Sequence, residues 1–162
     1  MTSRLRSLWP LLTALTSGAM LAAAHLYFQR FLGLAPCPLC LDQRNWHWAV
    51  LGVSLLVFLL TRWKPGLLRW GVMIVGLVLL GSAAQAAYHV AVEQHWVIAQ
   101  CDVRSASGQS LTFDPNAPLE VPQCDEIAWS WLGISMAGYN AIISFVLALT
   151  SFVVALAPER KP

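Results

Sequence analysis

The chain has 162 residues, 57% hydrophobic and only 11% charged, with a formal net charge of +2. Soluble domains carry roughly 25% charged residues, so an ordinary water-soluble fold is excluded. The weak net charge, with no basic stripe and no aromatic-basic interleaving, also excludes a nucleic-acid binder.

A helix needs about 20 residues to cross a hydrocarbon core. Four apolar stretches are long enough, at residues 9–29, 45–61, 67–92 and 131–157. The expected architecture is an all-α integral membrane protein, a four-transmembrane-helix bundle forming a single membrane domain over residues 1–162. Two cysteine-bearing loops, 30–44 and 93–130, connect the spans on one face. Arg4 and Arg6 before the first stretch and Ala22–Ala24 near its end resemble a signal peptide. The apolar run from Leu8 to Phe28 is too long for that, since a signal's apolar region has about 7–15 residues.

Basic residues set orientation. Arg4, Arg6, Arg62, Lys64, Arg69, Arg160 and Lys161 would share one face of a four-span bundle. The other face holds only Arg30, Arg44 and Arg104, together with seven carboxylates. Both termini are therefore expected in the cytoplasm and both cysteine loops outside. The tryptophans fit these edges as headgroup-level anchors. Trp9, Trp63 and Trp70 fall at inner boundaries, and Trp46, Trp48, Trp96, Trp129 and Trp131 at outer ones.

Four cysteines carry the chemistry. Cys37 and Cys40 form a CxxC pair ahead of the second span. Pro38 suits the first position of a helix, because its missing N–H needs no partner there. That puts Cys37 at a helix N-terminus, where the dipole favours thiolate. Arg44 lies one turn beyond Cys40, on the same face. Cys101 and Cys124 flank a loop rich in proline and polar residues. As an isolated feature they read equally as a structural staple, worth roughly 3 kcal/mol. The wide spacing of the two pairs does not suit zinc, and no metal is expected. Of the polar residues at membrane depth, His25, Gln29, His47, Gln85 and His89, the last is the leading candidate, at a depth similar to that of Arg44. Gln85 sits among small residues that suit close helix packing.

Cys37-Pro-Leu-Cys40 followed by Gln43-Arg44, the paired loop cysteines, and the run Leu132 to Asn140 together resemble the bacterial disulfide bond formation protein B family. The resemblance covers nearly the whole chain. It implies an inner-membrane protein-disulfide:quinone oxidoreductase serving a DsbA-like periplasmic partner. Cys101 would be attacked by the partner's thiolate, and Cys124 would move onto Cys37. Cys40 would pass electrons to a quinone, ubiquinone or menaquinone, held by Arg44 and His89. Some members carry glutamate where this chain has Gln43, so a carboxylate role is not expected at that position. Two other readings are a four-span structural or adaptor protein with a stapled loop, and a vitamin K epoxide reductase-like enzyme. The latter is expected to carry its CxxC near the end of the bundle sequence.

Overall fold

A computed structural model of the protein describes residues 3–97 and 124–158; Cys101 lies outside the described residues. Helix α1 (Ser3–Ala22) continues as a π-helical segment (Ala23–Phe31). Helix α2 (Pro38–Trp63) is followed by a 3-10 turn (Pro65–Leu67) and helix α3 (Leu68–Glu93). A hairpin, β1 (Ser130–Trp131) and β2 (Ile134–Ser135), leads into helix α4 (Met136–Leu156). Among the described residues, four helical stretches are long and apolar enough to cross a membrane: Leu5–Phe31, Pro38–Trp63, Pro65–Glu93 and Met136–Leu156. The protein is an all-α membrane protein.

In lipid, apolar side chains gain nothing by leaving the surroundings for a core, so helices associate through close packing and interhelical hydrogen bonds. The bundle follows that rule. Leu15, Leu56, Leu59, Leu77, Phe145 and Val153 face outward. The interior is made of Val50, Val57, Val75, Leu79 and Ala148. Hydroxyls bridge the helices: Thr13 Oγ1 donates to Ser54 Oγ at 3.0 Å, and Trp9 Nε1 donates to Ser151 Oγ at 2.9 Å. Arg6 Nη1 donates to the Ala157 carbonyl at 3.1 Å, placing a cation at the C-terminal end of α4, where the helix dipole favours it. The most extensive packing is within the α3–α4 and α1–α2 pairs, which α2 and α3 join.

The helix ends differ from the apolar runs in informative ways. Helix α2 starts at Pro38, well before residue 45, because proline and the Cys37 cap start the helix while its first two turns are still polar. Helix α4 starts at Met136 and not at 131. Leu132 and Gly133 both take positive φ, 50° and 78°, and form the kind of two-residue turn that closes a hairpin. The pairing matches Ser130 with Ser135 and Trp131 with Ile134. Three tryptophans do more than edge a span. Trp9 ties α1 to α4. Trp46 covers Gly81, where an added Cβ would lie 2.6 Å from its ring. Trp129 packs edge-on against Phe28, with ring centroids 5.0 Å apart.

Gly71 of α3 lies against Val57 of α2, and a Cβ there would sit 2.5 Å from Val57 Cγ1. Gly71→Ala should therefore destabilise the detergent-solubilised protein by about 1–3 kcal/mol, measured by thermal loss of helical circular dichroism. The double variant with Val57→Ala should recover part of that loss.

Candidate functional site

Cys37 is the N-cap of α2. Its extended backbone (φ −73°, ψ 163°) turns the side chain back over the first turn, and its Sγ accepts the Cys40 N–H at 3.2 Å. A sulfur does here what a serine or aspartate oxygen does at other N-caps. Cys37 is buried and Cys40 partly so, and both are free thiols. At Cys37 the neighbouring thiol outweighs the helix dipole. Its hydrogen bond with Cys40 and then its burial push its thiol well above the ordinary cysteine range.

Helix α3 brings His89 to the same place. His89 Nε2 is 3.7 Å from Cys37 Sγ, and Cys37 Sγ, Cys40 Sγ and a His89 ring nitrogen all lie within 4.8 Å of one another. Cys124 of the second pair also reaches this point. Cys124 is disulfide-bonded, 2% exposed, and packed with Cys37 and Val92 in one buried cluster that Leu39 and Cys40 adjoin.

A line of buried polar side chains runs inward from the thiols. Gln43 Nε2 and His89 Nδ1 are 2.6 Å apart. Asn140 Nδ2 donates to Gln43 Oε1 at 2.6 Å. Asn140 Oδ1 meets His47 Nε2 at 2.8 Å and accepts from Ser144 Oγ at 3.0 Å. With the amides in this orientation, His89 Nδ1 accepts, so its proton sits on Nε2, facing Cys37. On the other side, Glu93 Oε1 is 4.0 Å from His89 Nε2. Ser135 Oγ donates to Glu93 Oε2 while accepting the Gly138 N–H that caps α4.

Arg44 points across to α1. Its Nη1 donates to Gln29 Oε1 at 2.8 Å and its Nη2 to the Ala24 carbonyl at 3.4 Å, both in the π-helical segment. Such segments recur at functional sites. Between these elements lies a cavity of about 390 Å³, within the range of roughly 300–1,000 Å³ usual for ligand pockets. Its walls are mostly apolar, with Phe28, Trp129 and Tyr139 among them, and Cys40, Arg44 and His89 line it too.

Of the sequence candidates, Cys37, Cys40, Arg44 and His89 therefore meet on one cavity, with Cys124 packed behind Cys37. Gln29 and His47 join them through hydrogen bonds. His25 stays out, bonded to the Leu21 carbonyl of its own helix, and Gln85 is not in the polar line. Glu93 and Asn140 were missed as site residues. Glu93 could have been found, since it follows His89 by four residues and so shares its helix face. Asn140 carried no such signal beyond being an amide inside an apolar run.

A buried dithiol, a disulfide packed against it and a lined cavity within a four-span bundle define a membrane-embedded thiol–disulfide redox protein. The profile of the family described as "Disulfide bond formation protein DsbB" matches residues 6–154. Proteins named "Disulfide bond formation protein B" are similar along most of the chain. The one from Paracidovorax citrulli is 32% identical over 162 residues, covering 91% of this chain and 87% of its own. That from Marinobacter nauticus is 34% identical over 147 residues, 83% and 84% of the two chains. That from Dechloromonas aromatica is 33% identical over 138 residues, 76% of each. No solved structure matches. The chain belongs to the DsbB family.

Asn140 joins α4 to α2 at the centre of the polar line. Asn140→Leu leaves His47 and Gln43 short of a partner in a buried setting. It should lower unfolding stability by about 1–3 kcal/mol, and iodoacetamide should label Cys40 faster as the site loosens.

Proposed function

We propose that this protein is an inner-membrane thiol oxidase. It reoxidises a DsbA-like periplasmic dithiol oxidant by disulfide exchange and passes the electrons to a membrane quinone, ubiquinone in the first instance and menaquinone as the alternative. The observation that carries this reading is the burial of disulfide-bonded Cys124 against Cys37, on the wall of the cavity that Cys40 and Arg44 line. The bias of basic residues supports cytoplasmic termini, with the cysteine end of the bundle in the periplasm.

In this reading the partner's thiolate attacks Cys101, Cys124 leaves as the thiolate, and the partner's second thiol closes its own disulfide. Cys101 and Cys124 are then both reduced. When Cys37 and Cys40 are disulfide-bonded, Cys124 attacks Cys37 and Cys40 departs as the thiolate. Cys101 then closes onto Cys124, which frees Cys37. Cys37 and Cys124 pack in one buried cluster. Thiol–disulfide exchange needs such contact between the pairs, because one sulfur must attack another directly.

The cavity's residues fit a quinone: apolar and aromatic walls for a ring, with Arg44 and His89 to hold its oxygens. A bound quinone supplies an acceptor for two electrons and two protons. Arg44, already tied to α1 by Gln29 and Ala24, offers a fixed cation beside Cys40 and needs little reordering to act. His89, with its proton toward Cys37, orients that thiol. A strong acceptor is needed on energetic grounds. A DsbA-type disulfide lies near −120 mV and stable structural disulfides below about −300 mV, a gap of roughly 8 kcal/mol for two electrons.

Two measurements test the reading. Cys124→Ser leaves Cys101 as a free thiol, which should attack the disulfide of the oxidised partner and accumulate a mixed disulfide, seen as a non-reducing gel shift. A complex formed through Cys37 instead would reverse the assigned order. Cys37→Ser, which leaves Cys40 free beside added ubiquinone, should show a visible thiolate-to-quinone charge-transfer band. That band should weaken in the Arg44→Ala background and vanish with Cys40→Ser; its persistence without Cys40 would refute the electron exit proposed here.

A further inference from the structure

We infer that the reduced site is also a binding site for a soft divalent cation of the zinc type, with Cys37, Cys40 and His89 as ligands and Glu93 as the fourth. This goes beyond the oxidase reading and does not depend on it. The sulfurs of Cys37 and Cys40 and a His89 ring nitrogen lie within 4.8 Å of one another. Zinc takes sulfur at about 2.3 Å and imidazole nitrogen at about 2.0 Å in a tetrahedron, which puts a bound sulfur and nitrogen roughly 3.6 Å apart. Cys37 Sγ and His89 Nε2 are 3.7 Å apart. The two sulfurs come from one turn of α2 and the nitrogen from α3, 52 residues beyond Cys37. Spacing along the sequence therefore gives no sign of the third ligand.

The surroundings offer a fourth ligand. Glu93 Oε1 is 4.0 Å from His89 Nε2; it stands outside the cluster of three ligand atoms, so its carboxylate must swing toward the sulfurs to close the tetrahedron. Ser135 holds the other carboxylate oxygen. To ligate through Nε2, His89 must carry its proton on Nδ1, where Gln43 accepts it once the Gln43 and Asn140 amides turn over. Partners of this kind orient ligands and raise metal affinity. Charge also balances. Two thiolates and a carboxylate face one divalent cation, and the Arg44 guanidinium on the same cavity cancels the remaining negative charge. A buried group of charges is tolerated when it is paired in this way. All four ligands line the cavity, which gives the ion a route in. Binding releases the thiol protons. It also requires the reduced pair, because sulfurs bonded to each other no longer offer two thiolates. A bound ion would thus hold the reduced dithiol back from disulfide formation and block the wall of the cavity beside Cys40.

The test uses the full-length chain carrying Cys101→Ser and Cys124→Ser, so that only Cys37 and Cys40 respond to reductant. Zn²⁺ binding is read by competition with a chromophoric chelator, and Cd²⁺ binding by its thiolate-to-metal charge-transfer absorbance. One ion per reduced chain is expected, and none after oxidation with diamide. His89→Ala and Glu93→Gln should each weaken binding, by at least about tenfold for His89. Equal binding by the reduced and oxidised chains would overturn the proposal, as would an affinity unchanged by His89→Ala. The reduced-against-oxidised comparison needs no variant at the site itself, so it holds even if the His89 variant folds poorly. Neither readout involves quinone turnover, so failure here is distinguishable from failure of the oxidase reading.

Discussion

Inside a bilayer there is no water to satisfy a stray polar group, and the rest of this structure depends on that constraint. Each buried amide, imidazole or hydroxyl must find a partner in the protein, at a cost of several kcal/mol if it does not. The line His47–Asn140–Gln43–His89 meets most of that demand for α2, α3 and α4 together, with His47 Nδ1 left without a partner among the described residues. It fixes how the three helices are rotated against one another near the thiols, because a shift of any one of them would leave its neighbours unpaired. The apolar layer of Val50, Val75, Leu79 and Ala148 can be repacked in many ways. The polar line allows far fewer, so it is the more specific of the two devices.

The same constraint shapes the site. Arg44 cannot leave its charge in hydrocarbon, so α1 answers with Gln29 and a backbone carbonyl from a π-helical segment. Glu93 is answered by Ser135, a residue that also starts α4. Each charged group is thereby fastened to a helix other than its own. The dithiol sits where these attachments converge, which fixes its surroundings without any soluble domain to support it.

Much of this was legible in the sequence. Hydropathy located the four spans, since roughly 20 apolar residues in a row have few other uses. Pro38 announced the start of α2 before its apolar run began. The pattern around Cys37, Cys40 and Arg44 pointed to the site. The rest depended on pairings that no local pattern encodes. Asn140 meets Gln43 across 97 residues of chain, and Ser135 meets Glu93 across 42. Glu93 looked like an ordinary loop acid at the end of a span, and its burial follows only once α4 packs over it. The hairpin at residues 130–135 was absorbed into an apolar run, because its two-residue strands are too short to show an alternating pattern. The π-helical segment left no trace, its alanines and aromatics being equally at home in a regular helix.

Cys37 serves two purposes at once, and this links the redox state to the backbone. Its sulfur is the acceptor that secures the Cys40 N–H at the first turn of α2. When that sulfur enters a disulfide it becomes a poorer acceptor, and the geometry of the new bond competes with the cap. Oxidation therefore loosens the mouth of the helix, and reduction tightens it again. The first turn of α2 becomes a small hinge whose stiffness is set by electron count. In the exchange proposed above, it would yield as Cys37 turns toward an incoming sulfur and firm up once the exchange is complete.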